Sequence, residues 1–394
     1  MSDREDLRRN KLGNIIKSIH HKIPKKQVDT RSVSDYEIRK GYLDGRKIKR
    51  LIIYMRSSGC QWMLEDSGGC AMCGHLAGST LGVPIKAEDY IQQFDNIISQ
   101  ITFTDIPMLC VYNAGSFFND KEMPEEARIY IYNSINKIKE IQHVIFESRA
   151  EFILDHDMQC LRKSLPDKRL EIGVGLESSN EFIRQVCLNK GLDINKFLDA
   201  LKVMKRYDIH SLAYIVLKPP FLDEKPAIED ATASINWAFK NGVDVVSLEP
   251  VSVQYYTLIH LLYNMKLFRP PWIWSVFEVI KNTGNRGLIR IGGVEYFPPP
   301  SVSAHNCPSC NDFCVNAVEE YNTSNDLSII SNALKMECGA CKKIWEDSLQ
   351  STSDVKENID NFLNTFDSSL IEKYMRNDST RYPARTGVCV ATKP

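Results

Sequence analysis

The chain has 394 residues, 43% of them hydrophobic and 25% charged, with a formal net charge of −1. That describes an ordinary soluble protein long enough for one domain of roughly 250 residues plus one or two appendages. The charged N-terminus Met1 to Lys26 has no apolar h-region and no apolar run approaches membrane-span length, so we expect no signal peptide, no membrane span and a cytoplasmic protein with no membrane partner.

Residues 1–45 read as a basic N-terminal arm, since the first 50 residues hold 15 Lys and Arg against 7 Asp and Glu. A basic arm on an acidic body suits a polyanionic partner reached through phosphates, and suits equally a solvated leader. From residue 46 to 300, short apolar runs alternate with amphipathic stretches. The runs are Arg50 to Met55, Pro107 to Tyr112, His143 to Phe146, Leu170 to Leu176, Leu212 to Leu217 and Val243 to Leu248. Helical periodicity falls between them at Ala87 to Ile101, Pro124 to Lys139, Ala150 to Ser164, Ile194 to Arg206 and Lys225 to Asn241. Such β/α units imply a parallel sheet with its chemistry at the carboxyl ends of the strands.

After the first strand comes Cys60-x9-Cys70-x2-Cys73, with glycines at 59, 68, 69 and 74. Three thiolates can hold three corners of a [4Fe-4S] cube and leave one iron open to a small molecule, for which S-adenosylmethionine (SAM) is the candidate. Half of a zinc site is the other reading, because Cys70-x2-Cys73 alone suits zinc. Twelve cysteines without an export signal favour metal binding over disulfides.

The later strand ends supply further candidates. Asn113, Gly115 and Ser116 follow the second strand, as a backbone edge for SAM or as a plain turn with Ser116 capping a helix. Glu147 and Arg149 follow the third as cofactor-binding candidates, Arg149 as a carboxylate contact or else a surface ion-pair partner. Glu177 follows the fourth, as a contact to cofactor or substrate, or else as the start of the next helix or a partner of Arg184. Lys218 follows the fifth, held over the sheet by Pro219 and Pro220 as a candidate substrate contact. Cys110, Cys160, Cys187 and Cys389 are isolated and expected to be buried thiols. In Arg269-Pro270-Pro271-Trp272-Ile273-Trp274, the indoles either stack on a base or cap the barrel as packing.

Residues 301–350 contain Cys307-x2-Cys310 and Cys338-x2-Cys341. Two such knuckles can meet as a closed four-cysteine site with structural zinc; Cys314 can exchange roles with Cys310, and an iron-sulfur cluster is the alternative. Residues 351–394 read as a helical extension, Asp354 to Arg376, and an irregular tail, Asn377 to Pro394.

The three-cysteine motif resembles that of the radical SAM enzymes, in the branch containing the catalytic subunit of Elongator. More narrowly, Arg56 to Cys60, Gly69 to Gly74, Asn113 to Phe117, Glu147 to Phe152, Val174 to Ser178, Asn189 to Gly191, Lys218 to Leu222, Pro270 to Ser275 and His305 to Cys310 resemble the radical SAM subunit of archaeosine synthase (RaSEA). The resemblance implies a partial TIM-type (β/α)6 barrel with Cys60, Cys70 and Cys73 on a [4Fe-4S] cluster, and SAM cleavage to a 5′-deoxyadenosyl radical. It implies a lyase of tRNA modification that breaks the lysine C–N bond of a lysine adduct of 7-cyano-7-deazaguanine, leaving archaeosine. It also implies as partners a lysine-transferring archaeosine synthase subunit, tRNA, and an electron donor such as ferredoxin or flavodoxin. Two other readings stand beside it: a radical SAM enzyme of this branch with a different RNA, peptide or small-molecule substrate, and a non-catalytic metal-bound RNA-binding module.

Overall fold

A computed structural model describes residues 2–25, 27–65, 67–293, 300–351 and 353–375. Its apolar strands form one eight-stranded sheet whose spatial order follows the chain. β1 (Asp35–Leu43) and β2 (Arg46–Tyr54) are an antiparallel hairpin, turned at Asp44 and Gly45 with φ of 50° and 73°, as a two-residue type I′ turn requires. A short helix α2 (Gln61–Leu64) and then α3 (Ala87–Ile98) lead to β3 (Met108–Tyr112). The alternation continues through α4 (Glu125–Lys137), β4 (His143–Glu147), α5 (Asp155–Ser164), β5 (Arg169–Glu177), α6 (Ile194–Arg206), β6 (His210–Leu217), α7 (Glu224–Lys240) and β7 (Val245–Pro250). After α8 (Leu258–Asn264) and α9 (Ile273–Thr283), β8 (Leu288–Ile291) closes the series, and β2 to β8 run parallel to one another.

Parallel neighbours joined in chain order by right-handed crossovers place their helices on one face, which curls the sheet into a partial barrel. The expected β/α units are β2 to β7 with their helices, while β1 and β8 extend the sheet at its edges. Strand parity divides the side chains. Leu51, Ile53, Leu109, Val111, Val144 and Phe146 are buried in the main core, whereas Arg50, Ile52, Tyr54, Tyr112, Glu147 and Tyr214 line the concave face. Low on that face, both Arg290 Nη atoms donate to the Glu171 carboxylate, Nη2 at 3.0 Å. His143 Nε2 lies 3.5 Å from the same carboxylate, so β4, β5 and β8 are tied together there.

At the N-terminus, α1 (Asp3–His20) buries Leu12, Ile15, Ile16 and Ile19. Its Arg8 grips Asp360 with Nε and Nη2 at 2.7 and 2.6 Å. The C-terminal part continues as α10 (Pro308–Ser324), α11 (Leu327–Lys335), α12 (Gly339–Ser348), α13 (Val355–Thr365) and α14 (Ser369–Met375). The tryptophan motif is packing: Trp274 is fully buried and the Arg269 guanidinium lies 3.4 Å from the Trp272 ring centroid. No helix among the described residues is long and apolar enough to cross a membrane. The tail Asn377 to Pro394, with Cys389, lies outside the described residues.

Candidate functional site

Cys60, Cys70 and Cys73 sit on the loop that leaves the carboxyl end of β2. Burial, then the Glu122 charge, pushes the Cys60 thiol up to about 12, and the charges of Cys70 and Cys73 add to this. Burial and then Cys70 push Cys73 to about 12 as well. Each of the three thiols is thus desolvated and feels the charge of its neighbours, so three thiolates are disfavoured unless a cationic centre neutralises them. That is the donor chemistry of an iron-sulfur ligand set.

Two polar supports fix this loop. The first is Glu122, whose carboxylate accepts from Gln61 N at 2.9 Å, from Ser116 N at 2.6 Å and from Asn119 Nδ2 at 2.9 Å. It thus ties the residue after Cys60 to the loop after β3. Gly115 leaves room for it, because a Cβ there would lie 1.9 Å from Glu122 Oε2 and 3.3 Å from Cys60 Cα. The second support is the motif Asn189-Lys190-Gly191, which follows a π-helical turn, Ile183–Cys187. Asn189 Nδ2 donates to Ser67 O and Gly69 O, both at 2.7 Å, and Trp62 Nε1 donates to Asn189 O at 2.8 Å. Helix α1 backs the same loop, since a Cβ on Gly68 would meet Gly13 O at 2.6 Å. Glu122 was missed in the sequence because no local pattern marks a carboxylate that holds its own loop, at Ser116 and Asn119, to Gln61 on a segment 61 residues away.

The structure brings most of the strand-end candidates to this loop. Asn113 is 1% exposed, yet neither its Nδ2 nor its Oδ1 has a hydrogen-bond partner. A buried side-chain amide left this way is costly, and next to the thiol loop it fits a polar ligand such as SAM. Ser116 is no helix cap: its N–H serves Glu122, and its Oγ accepts from Arg149 N at 3.3 Å. Arg149 is not at the surface. Its Nε donates to Glu151 at 2.6 Å and its Nη atoms to Lys190 O and Gly191 O at 3.1 and 3.3 Å. Glu177, at φ 64°, pairs with Lys190 at 2.6 Å rather than with Arg184, which instead donates to Ser178 O and Ser179 O at 2.9 and 3.1 Å. Gly175 makes room for that pair, a Cβ there falling 2.2 Å from Lys190 Nζ.

Lys218 stands apart. Its Nζ donates to Glu224, whose Oε1 accepts from Trp272 N at 2.9 Å and Ser275 Oγ at 2.6 Å, and Ser275 Oγ accepts from Trp345 Nε1 at 2.8 Å. This buried network joins the end of β6 to α9 and α12. Cys110 and Cys187 are buried as expected, whereas Cys160 is only half-buried.

Beneath the thiol loop, the concave face encloses a cavity of about 370 Å³, lined by Cys73, Gly74, Glu147, Glu177 and Glu249 among others. Burial, then the Glu249 charge, pushes the Glu147 carboxyl up to about 8.

The second cysteine group is closed. Sγ separations are 3.4 Å for Cys307 to Cys310, 3.6 Å for Cys307 to Cys338, 3.5 Å for Cys310 to Cys341 and 3.4 Å for Cys338 to Cys341. A tetrahedral zinc with Zn–S near 2.3 Å has S–S edges of about 3.8 Å, so the set fits one metal. Cys314 is not in the group; it accepts from Asn306 Nδ2 at 3.3 Å.

No family model matches the chain. It is 34% identical over 306 residues to an uncharacterised protein of Methanocaldococcus jannaschii, covering 75% of this chain and 81% of that one. It is 28% identical over 309 residues to archaeosine synthase subunit beta of Methanosarcina acetivorans, covering 78% and 87%. Among solved structures it is similar to Elp3 of Methanocaldococcus infernus, with a TM-score of 0.44 and 14% identity over 59% of each chain.

Proposed function

We propose that this chain, which shares a family with the Methanocaldococcus jannaschii protein and is similar to archaeosine synthase subunit beta, is the radical SAM lyase that breaks the lysine C–N bond of a lysine adduct of 7-cyano-7-deazaguanine in tRNA, leaving archaeosine. The three-thiol loop with the unsatisfied Asn113 amide supports the cluster and SAM, and the observation that supports the substrate is the similarity to archaeosine synthase subunit beta along 78% of the chain. Cys60, Cys70 and Cys73 would hold the [4Fe-4S] cluster. Asn113, with the backbone of Gly115 and Ser116, would hold the SAM methionine group, and Arg149 and Glu177 would face the rest of the cofactor. When bound, the two cofactors supply a radical able to take hydrogen from an unactivated carbon, as an aliphatic C–N bond without an acidic proton requires.

The chain's own residues provide rigidity and exclusion of water. Glu122 and Asn189 hold the two ends of the cysteine loop against separate strand-end segments, so the site is built on the barrel rather than on a mobile loop. Lys218 acts in this scheme as a positioning residue, fixing through Glu224 the register of the four-cysteine segment on the barrel. That segment would carry one structural zinc. The relative from Methanosarcina acetivorans is named as a subunit, and the proposal accordingly includes a lysine-transferring partner, tRNA, and an electron donor such as ferredoxin or flavodoxin.

The test is nucleoside mass spectrometry of tRNA carrying the lysine adduct after anaerobic incubation with reconstituted protein, SAM and reductant. Conversion of the adduct to archaeosine is expected; an unchanged adduct alongside SAM turnover would redirect the chemistry to another substrate.

A further inference from the structure

We propose that the concave cavity is a receptor for a zwitterionic α-amino-acid head group, with Arg50 taking the carboxylate and Glu147 with Glu249 taking the ammonium. The inference rests on the reading above, in which the substrate carries a lysine attached through its side chain and so presents a free α-amino and a free α-carboxyl group.

Charge placement carries the argument. Arg50 stands on β2 and lines the cavity; its Nε is buried without a hydrogen-bond partner, and no carboxylate among the described residues pairs with it. A half-buried guanidinium whose Nε lacks a partner gains from an anion, and its planar fork matches a carboxylate. The acidic groups lie on other walls. Glu147 ends β4, and its carboxylate has no hydrogen-bond partner among the described residues. Glu249, which accepts from Ser247 Oγ at 2.6 Å, lies near the end of β7 and acts on Glu147 directly. Two carboxyl groups in one desolvated space favour a cation between them. The third carboxylate of the lining, Glu177, pairs with Lys190 at 2.6 Å.

Tyrosines stand between the two poles. The Tyr54 and Tyr112 rings are 5.9 Å apart, and Tyr214 continues the wall; their faces suit an ammonium, while the Tyr54 hydroxyl already donates to Glu37 at 3.0 Å. Glycines keep the space open: a Cβ on Gly173 would fall 2.6 Å from the Tyr214 hydroxyl, and one on Gly292 2.3 Å from the Glu249 carboxylate. At about 370 Å³ the cavity is at the small end of ligand pockets, about 300–1,000 Å³. This suits a head group rather than a polynucleotide. Glu147, a cofactor candidate by sequence, is thereby assigned to the substrate.

The experiment is calorimetric titration of the anaerobically reconstituted full chain with Nε-acetimidoyl-L-lysine and with its analogues lacking the α-carboxyl or the α-amino group. The wild-type protein should bind the complete compound about 10-fold or more tighter than either analogue, as loss of a charged hydrogen bond implies. Arg50→Gln should erase only the discrimination against the analogue without carboxylate, and Glu147→Gln only that against the analogue without amine. The wild-type comparison stands alone should a variant fail to fold. Equal binding of all three compounds, or none at millimolar concentration, would overturn the assignment. Those outcomes, with archaeosine still formed from adduct tRNA, would leave the proposed function standing; selective binding with no response to that tRNA would keep the receptor and remove the function.

Discussion

Replacing Glu122 by alanine removes one carboxylate that accepts from Gln61 N, Ser116 N and Asn119 Nδ2. Two of those donors are backbone N–H groups on segments that enclose Cys60. Orphaning a buried donor costs roughly 1–3 kcal/mol, and bonds to a charged acceptor are the stronger kind. Against this stands the cost of burying the carboxylate itself, which pushes the Glu122 carboxyl above its usual range, only partly offset by the N–H donors. A net loss of about 2–4 kcal/mol is expected for Glu122→Ala. Glu122→Gln should lose less, about 1–2 kcal/mol, because its carbonyl keeps an acceptor while its NH2 confronts an N–H. Gly115→Ala should resemble Glu122→Ala, since its Cβ would lie 1.9 Å from Glu122 Oε2. Denaturant unfolding under anaerobic conditions, paired with iron content after reconstitution, gives both readouts. A Glu122→Ala protein within about 0.5 kcal/mol of the parent and with full iron would refute the positioning role.

Cys60→Ala should abolish the visible absorption of the reconstituted cluster while leaving the metal of the C-terminal group, and loss of both by elemental analysis would contradict two separate sites. Conversely, Cys338→Ser should lower the second metal and leave iron unchanged, since the four-cysteine group is self-contained. Burial would raise the Glu171 carboxyl, but Arg290 and His143 outweigh it and hold it at about 2 against an ordinary 4.5. The stability it adds is present above about pH 4.5 and is lost as the pH falls towards 2. The gap between wild type and Glu171→Gln, about 3 kcal/mol at pH 7, should therefore narrow between pH 5 and pH 3 in urea titrations, and a constant gap would count against the ion pair.

Much of the barrel was legible because each of its inner strands is apolar over a strand-length run and ends in a polar or glycine-containing turn. The edges were not. β1 reads Asp35-Tyr36-Glu37-Ile38-Arg39-Lys40, charged because it has a neighbour on one side only, and its signal was the Asp44-Gly45 turn. β8 has just four residues, too few for periodicity. Spacing alone pointed to both cysteine groups, since ligand sets are written locally. What holds them is not: Asn189 was visible as part of a motif, yet its partners Ser67 and Gly69 are more than a hundred residues away. Arg50 and Glu147 likewise gained a shared cavity only when the sheet curled.

The most direct test of the account is 5′-deoxyadenosine production by the reconstituted protein with and without tRNA carrying the lysine-modified deazaguanine. Production that rises with that tRNA and accompanies archaeosine is the predicted result. Production indifferent to the tRNA would contradict the proposed substrate, and none under either condition would contradict the radical SAM chemistry itself.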